Sequence, residues 1–69
     1  MWSQVVAALL QRITDRDQYV RQAAVVALGQ VARKGDEQVM NSLIARLSDT
    51  DSAVRRVSCI AISQAVELN

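Results

Sequence analysis

Two acidic pairs recur in this chain, each with an arginine at the same distance: Asp15-Arg16-Asp17 ahead of Arg21, and Asp49-Thr50-Asp51 ahead of Arg55. Paired carboxylates can divide the work of general acid and general base, or lend oxygens to a calcium ion. A calcium loop supplies many more oxygens at set spacings than two aspartates flanking a single residue. Nucleophilic chemistry is equally short of parts. The one cysteine, Cys59, lies in the apolar run Ser58-Cys59-Ile60-Ala61-Ile62, and the chain contains no histidine to act as its base. A reactive thiolate needs an electropositive, partly exposed setting, so Cys59 reads as filler or groove lining. A lone thiol also excludes an internal disulfide, and the commonest ligands of structural zinc are missing. The expectation is a protein that is not an enzyme and holds no cofactor and no metal.

Charge gives little direction. Eight basic residues stand against seven acidic ones, for a formal net charge of +1, and no block of one sign marks a nucleic-acid arm. Arg21, Arg33, Lys34, Arg55 and Arg56 could line a basic face. Aspartates neighbour several of them, and Trp2 and Tyr19 alone give bases little to stack on. No apolar run approaches the roughly 20 residues that span a bilayer, and Met1-Trp2-Ser3-Gln4 lacks the cationic start of a secretory signal. These features are read as those of a soluble, cytoplasmic protein.

The elements that position the acidic pairs come in duplicate. Sliding the chain by 34 positions aligns Gln4/Gln38, Val5/Val39, Leu9/Leu43, Arg12/Arg46, Asp15/Asp49, Asp17/Asp51, Val20/Val54, Arg21/Arg55, Ala27/Ala61 and Gln30/Gln64. A fixed period of this length marks a solenoid, whose units bury their apolar faces on stacked neighbours. Val6, Leu9, Leu10 and Ile13, and again Met40, Leu43, Ile44 and Leu47, fall at offsets of one helical face. They predict helices over 3–14 and 37–48. Each is followed by an acidic turn suited to capping a second helix, over 18–34 or 52–67. Those second helices carry Val20, Ala24, Ala27, Leu28 and Val31, or Val54, Ser58, Ala61, Ile62 and Ala65, with small residues that let helices approach closely. Gly35 ends the first unit as a permissive C-terminal residue, and Asp36 opens the next. The reading is an all-α α-solenoid: one domain over 1–69, four antiparallel helices, repeat one at 1–35 and repeat two at 36–69.

The run from Asp15 to Gly29, DRDQYVRQAAVVALG, resembles a HEAT repeat, in particular the subgroup named after phycobilisome lyases. The copy from Asp49 keeps the acidic turn and Val54-Arg55 but has Ile62-Ser63 in place of Leu-Gly. Neither unit has the proline that many such repeats carry in the first helix. The resemblance covers essentially the whole chain and implies fold more than function. It also implies a hydrogen-bonded ladder between successive units, carried by Asp15, Asp17 and Arg21 and by Asp49, Asp51 and Arg55. Arginine's planar donor fork suits carboxylates, which agrees with that role.

Function then reduces to surfaces. The second helices of such arrays offer a concave face, and Gln18, Gln22, Val25, Gly29 and Arg33 are expected on that stripe, continued by Ser52, Arg56, Cys59, Ser63 and Glu67. The ends of the stack matter as well. No polar capping repeat is present, so the last helix is expected to leave Val57, Ile60, Ala61 and Leu68 uncovered, and the first Val5, Val6 and Ala8, with Trp2 shielding part of that end. A chain of 69 residues buries a thin core. Both termini fall on repeat boundaries, a phasing that fits a self-contained pair of repeats and a piece of a longer array alike. The expected function is a non-catalytic protein-interaction or scaffold module that self-associates, through Trp2, Val5, Val57, Ile60 and Leu68, as a homodimer or longer array. The alternatives are a small nucleic-acid-binding accessory protein and a regulatory or chaperone-like subunit of an enzyme complex.

Overall fold

Four helices follow one another in the order that the duplicated signals predict. The computed structural model describes residues 2–32 and 36–67, without the side chains of residues 2 and 67. Helix α1 spans Trp2–Arg12, α2 Gln18–Val31, α3 Glu37–Ala45 and α4 Ser52–Glu67, with a single 3₁₀ turn, Arg46–Ser48, between α3 and the second acidic turn. Among the described residues there is no strand, and no helix is long and apolar enough to cross a membrane.

Aspartates set the helix starts. Asp17, in extended backbone at φ −84° and ψ 123°, accepts the amides of Tyr19 and Val20 at 2.7 and 3.2 Å and so caps α2. Asp51 accepts the Val54 amide at 3.0 Å, and Asp36 accepts that of Val39 at 3.1 Å. Each cap satisfies donors that the first helical turn leaves open and places negative charge at the positive end of the helix dipole. Helices α1, α2 and α3 end earlier than the apolar spacing suggests, at Arg12, Val31 and Ala45, whereas α4 reaches Glu67 as expected. At Ala32 the backbone becomes extended, although its amide still reaches the Leu28 carbonyl at 2.8 Å. The expected end of that helix, at residue 34, lies outside the described residues, as does Gly35. The segment expected to be one helix over 37–48 tightens into the 3₁₀ turn at Arg46.

The two second helices form the centre of the molecule. Helix α2 packs most extensively on α4, α1 packs on α2, and α3 packs on α4 and more lightly on α2. The core runs through Ile13, Ala24, Val25, Leu28, Val39, Leu43, Val54, Ala61 and Ala65, with Val6, Leu9, Leu10, Met40 and Ile62 packed around it. Among the described residues one polar side chain is wholly buried: Ser58, whose hydroxyl donates to the Val54 carbonyl at 2.7 Å. Gly29 is what brings α2 and α4 so close. A Cβ at Gly29 would stand 2.6 Å from the Ala61 Cβ and 2.8 Å from its Cα.

Three expectations from the helical spacing are corrected. Ile44 and Leu47 share the offsets of Met40 and Leu43 yet are exposed, because the core takes the Val39–Leu43 ridge and the 3₁₀ turn rotates Leu47 away from it. Ala61, expected bare at the end of the stack, is buried against Gly29. Val25 and Gly29, expected in a concave groove, are buried as well, since their side of α2 is the one on which α4 lies.

Candidate functional site

Within each acidic pair the two carboxylates do different work. The first holds the turn: Asp15 Oδ1 accepts the Asp17 amide, and Asp49 Oδ1 the Asp51 amide, both at 2.9 Å. The second caps the following helix, as described above. The arginine four residues on reaches back over the turn. Arg21 Nη1 donates to the carbonyls of Asp15 and Arg16 at 2.9 and 3.1 Å, and Arg55 Nη1 donates to the Asp49 carbonyl at 2.7 Å. A second arginine, three residues ahead of each pair, closes it from the other side: Arg12 Nη1 lies 3.3 Å from Asp15 Oδ2, and Arg46 Nη1 lies 3.2 Å from Asp49 Oδ2.

Across the two hairpins this arrangement becomes a clasp. Arg21 donates from Nε to Asp49 Oδ2 at 2.9 Å and from Nη2 to Asp49 Oδ1 at 3.0 Å, a bidentate fork over 28 residues of sequence. With Asp51 and Arg46 added, both oxygens of Asp49 accept two hydrogen bonds each, the full complement of a carboxylate. Its side chain is 2% exposed and that of Arg21 is 12% exposed. Burial alone would push the Asp49 carboxyl up. The Arg21 hydrogen bonds, the Asp51 amide and the charges of Arg21 and Arg46 outweigh burial and hold it below the ordinary carboxylate value. Arg21 sits above its own ordinary value, chiefly through the hydrogen bonds to Asp49. Beside the clasp lies a polar hollow of about 350 Å³ lined by Thr14, Arg16, Arg46 and Ser48 among others. Arg46 Nε, buried and without a partner among the described residues, lies in the same turn region.

At the two outer ends the same groups stand half used. Among the described residues Asp15 accepts only the Asp17 amide and Arg12, and its side chain is 21% exposed. Arg55 holds the Asp49 carbonyl through Nη1, and among the described residues its Nε and Nη2 have no partner. The apolar positions around them follow suit. On α2, Val25, Gly29 and Ala32 are buried, whereas their counterparts on α4, Cys59, Ser63 and Val66, are exposed. On the opposite face, Val39 is 1% exposed while its counterpart Val5 is 43% exposed. Leu43, Val54, Ala61 and Ala65 are buried while Leu9, Val20, Ala27 and Val31 are only half-buried.

The residues singled out from the sequence fall into three groups. Asp15, Asp17, Arg21, Asp49, Asp51 and Arg55 gather at the two turns. Of the stripe, Gln18, Arg56, Cys59 and Ser63 are exposed, Gln22 is half-buried, and Arg33 lies outside the described residues. Of the end residues, Val5 and Ile60 are exposed and Val57 is half-buried; the Trp2 side chain and Leu68 lie outside the described residues. Arg12 and Arg46 were missed as members of the turns, although their identity across the 34-residue offset and their spacing of three from the aspartates carried the signal. Cys59, read as filler or groove lining, is an exposed thiol, which excludes the first of these; the buried polar filler of α4 is Ser58.

Duplicated helical hairpins stacked through their second helices, and joined by an arginine–carboxylate clasp at the turns, define an α-solenoid repeat protein. The sequence pattern described as HEAT repeats matches residues 4–66, and the chain belongs to that family. Repeats of this family are generally protein-interaction scaffolds and are typically non-catalytic. No curated protein and no solved structure matches the chain.

Proposed function

We propose that this chain is a non-catalytic interaction module of the cytoplasm, two repeats in the bounds 1–35 and 36–69, that works by self-association through its two end faces. The observation that supports this reading is the opposite burial of equivalent positions: Ala32 is 6% exposed and Val66 is 53% exposed, as though each unit were built to be covered on both sides and each is covered on one. Val5, Leu9, Val20 and Val31 form one such face, and Cys59, Ser63 and Val66 the other, with Val57 and Ile60 flanking it: their counterparts Ala23 and Val26 are exposed as well. Exposed apolar patches of this kind mark contact surfaces, and a chain of this size gains stability from a partner that neither disulfide nor metal supplies. Gln18, Gln22 and Arg56 border these faces as polar rim. Sedimentation equilibrium on the 69-residue chain tests the reading. The expected result is a mass above 7.6 kDa that rises with concentration in the micromolar range. A cooperatively folded monomer that keeps its mass across that range would overturn it.

A further inference from the structure

We infer that copies of this chain join head to tail, with Arg55 of one copy gripping Asp15 of the next in the way that Arg21 grips Asp49 inside each copy. This rests on the self-association proposed above and specifies its geometry and its contacts. The first support is a count of acceptor sites. Asp49 uses two per oxygen, and the pair supplied by Arg21 is the pair that Asp15 leaves open: one on Oδ1 beside the Asp17 amide, one on Oδ2 beside Arg12. The second is the donor. Arg55 is fixed by Nη1 to the carbonyl of its own turn, as Arg21 is, so its Nε and Nη2 edge is held ready for a carboxylate. A second copy is the occupant that carries this carboxylate, already set in an Asp-x-Asp turn with its flanking arginine, in the register of the internal joint.

The apolar surfaces agree with that register. Cys59, Ser63 and Val66 would meet Val20, Ala27 and Val31 of the next copy, repeating the contact that α2 makes with α4. One position differs. Ser63 stands where Gly29 allows the close approach, and repeating the internal spacing would place its Cβ about 2.6 Å from the Ala27 Cβ of the neighbour. The neighbour must therefore sit farther back than α4 sits on α2, which makes this joint looser than the internal one. A heterologous joint leaves a free head and a free tail on every assembly unless the rotation per copy closes a ring, so copies add in rows as concentration rises.

Two variants test the joint without removing a turn. Asp15→Asn keeps the Oδ1 acceptor for the Asp17 amide but turns a donor toward Arg55, and Arg55→Gln removes the fork. Each alone is expected to associate at least about tenfold more weakly than the parent chain, with unchanged helicity by circular dichroism. An equimolar mixture is expected to form 1:1 dimers and nothing larger, because the first variant keeps a working tail and the second a working head. Ser63→Gly is expected to tighten association several-fold. A parent chain that associates while both variants match it overturns the head-to-tail joint and leaves self-association standing. A parent that stays monomeric overturns the reading beneath it. Failure of the mixture to recover, or a Ser63→Gly chain that associates no better, overturns the shared register.

Discussion

Helices α2 and α4 occupy equivalent places in two copies of one unit, yet they meet different surroundings. On α2, Val25, Gly29 and Ala32 are buried, Gly29 directly against Ala61 of α4. On α4, Cys59, Ser63 and Val66 are exposed. The side chains changed along with the surroundings: two of the three positions gained a polar or polarisable atom, and the glycine that permits close contact became serine. The turns, by contrast, stayed alike. Both keep Asp-x-Asp, the arginine three residues ahead and the arginine four residues behind. In a repeat protein the burial of a residue is decided by its neighbour in the stack, while the groups that align one unit on the next are set inside each unit.

The widest difference between the two copies lies at the first aspartate of each turn. Asp49→Ala strips the Arg21 fork and the Arg46 contact of their acceptor and leaves the Asp51 amide unpaired in a half-buried turn. Urea unfolding is expected to show a loss of about 3 kcal/mol, in the range of breaking a buried pair from one side. Asp15→Ala removes only a solvent-screened contact with Arg12, which is 57% exposed, and one amide bond. Its cost is expected to stay near or below about 1 kcal/mol. Equal losses at the two sites would mean that the clasp adds nothing to the stack.

A smaller effect separates the two units at the glycine. Gly29→Ala gains helix propensity worth about 1 kcal/mol, but its methyl would overlap Ala61 against both Cβ and backbone. Overpacking costs about 1–3 kcal/mol and occasionally more, and contacts of 2.6 and 2.8 Å against a neighbouring helix belong to the upper part of that range, so thermal and urea unfolding are expected to show a net loss of about 1–2 kcal/mol. The intensity of that loss reads how tightly α2 and α4 are held together.

The clasp also fixes the sign of an acid response. Asp49 is held below its ordinary value in the folded chain, so between its folded and unfolded values the unfolded chain binds the extra proton and stability rises with pH. The contribution is complete above the unfolded carboxylate range, about pH 4, and disappears as pH falls through the lower folded value. Urea midpoints of the parent and of Asp49→Asn are therefore expected to differ at pH 7 and to draw together as the pH falls below about 4. A gap that does not narrow at all on acidification would detach the clasp from the Asp49 charge.

Helix number and order were legible because apolar residues at offsets of three and four recur on a 34-residue period, and because Asp17, Asp36 and Asp51 announce the helix starts. The C-terminal ends were less legible. A 3₁₀ turn at Arg46 and an extended residue at Ala32 arise from how the chain must re-aim toward the next helix, which apolar spacing does not encode. The same limit explains the stripe. Periodicity places Val25, Gly29, Cys59 and Ser63 on one side of their helices but does not say which sides are covered, and a neighbouring hairpin covers only the first two. Arg12 and Arg46 were in plain view as a conserved spacing within the chain, but their role emerges only once the turn brings residues three apart into contact.

The smallest expected effect bears most directly on which face of α4 is free. Ser63 is exposed on α4 and already carries a Cβ where Gly29 has none. Ser63→Ala keeps that Cβ and drops a hydroxyl that competes weakly with the helix backbone, so at concentrations where the chain is monomeric it is expected to raise stability by about 0.3–0.5 kcal/mol, the propensity difference between the two residues. The same substitution type at Gly29 lowers it, so the two alanines at equivalent positions carry opposite signs. Thermal unfolding of both variants at matched low concentration measures them together. A loss at Ser63 comparable with that at Gly29 would mean that this side of α4 is already in contact, and that the second unit is covered on both sides like the interior of a longer stack.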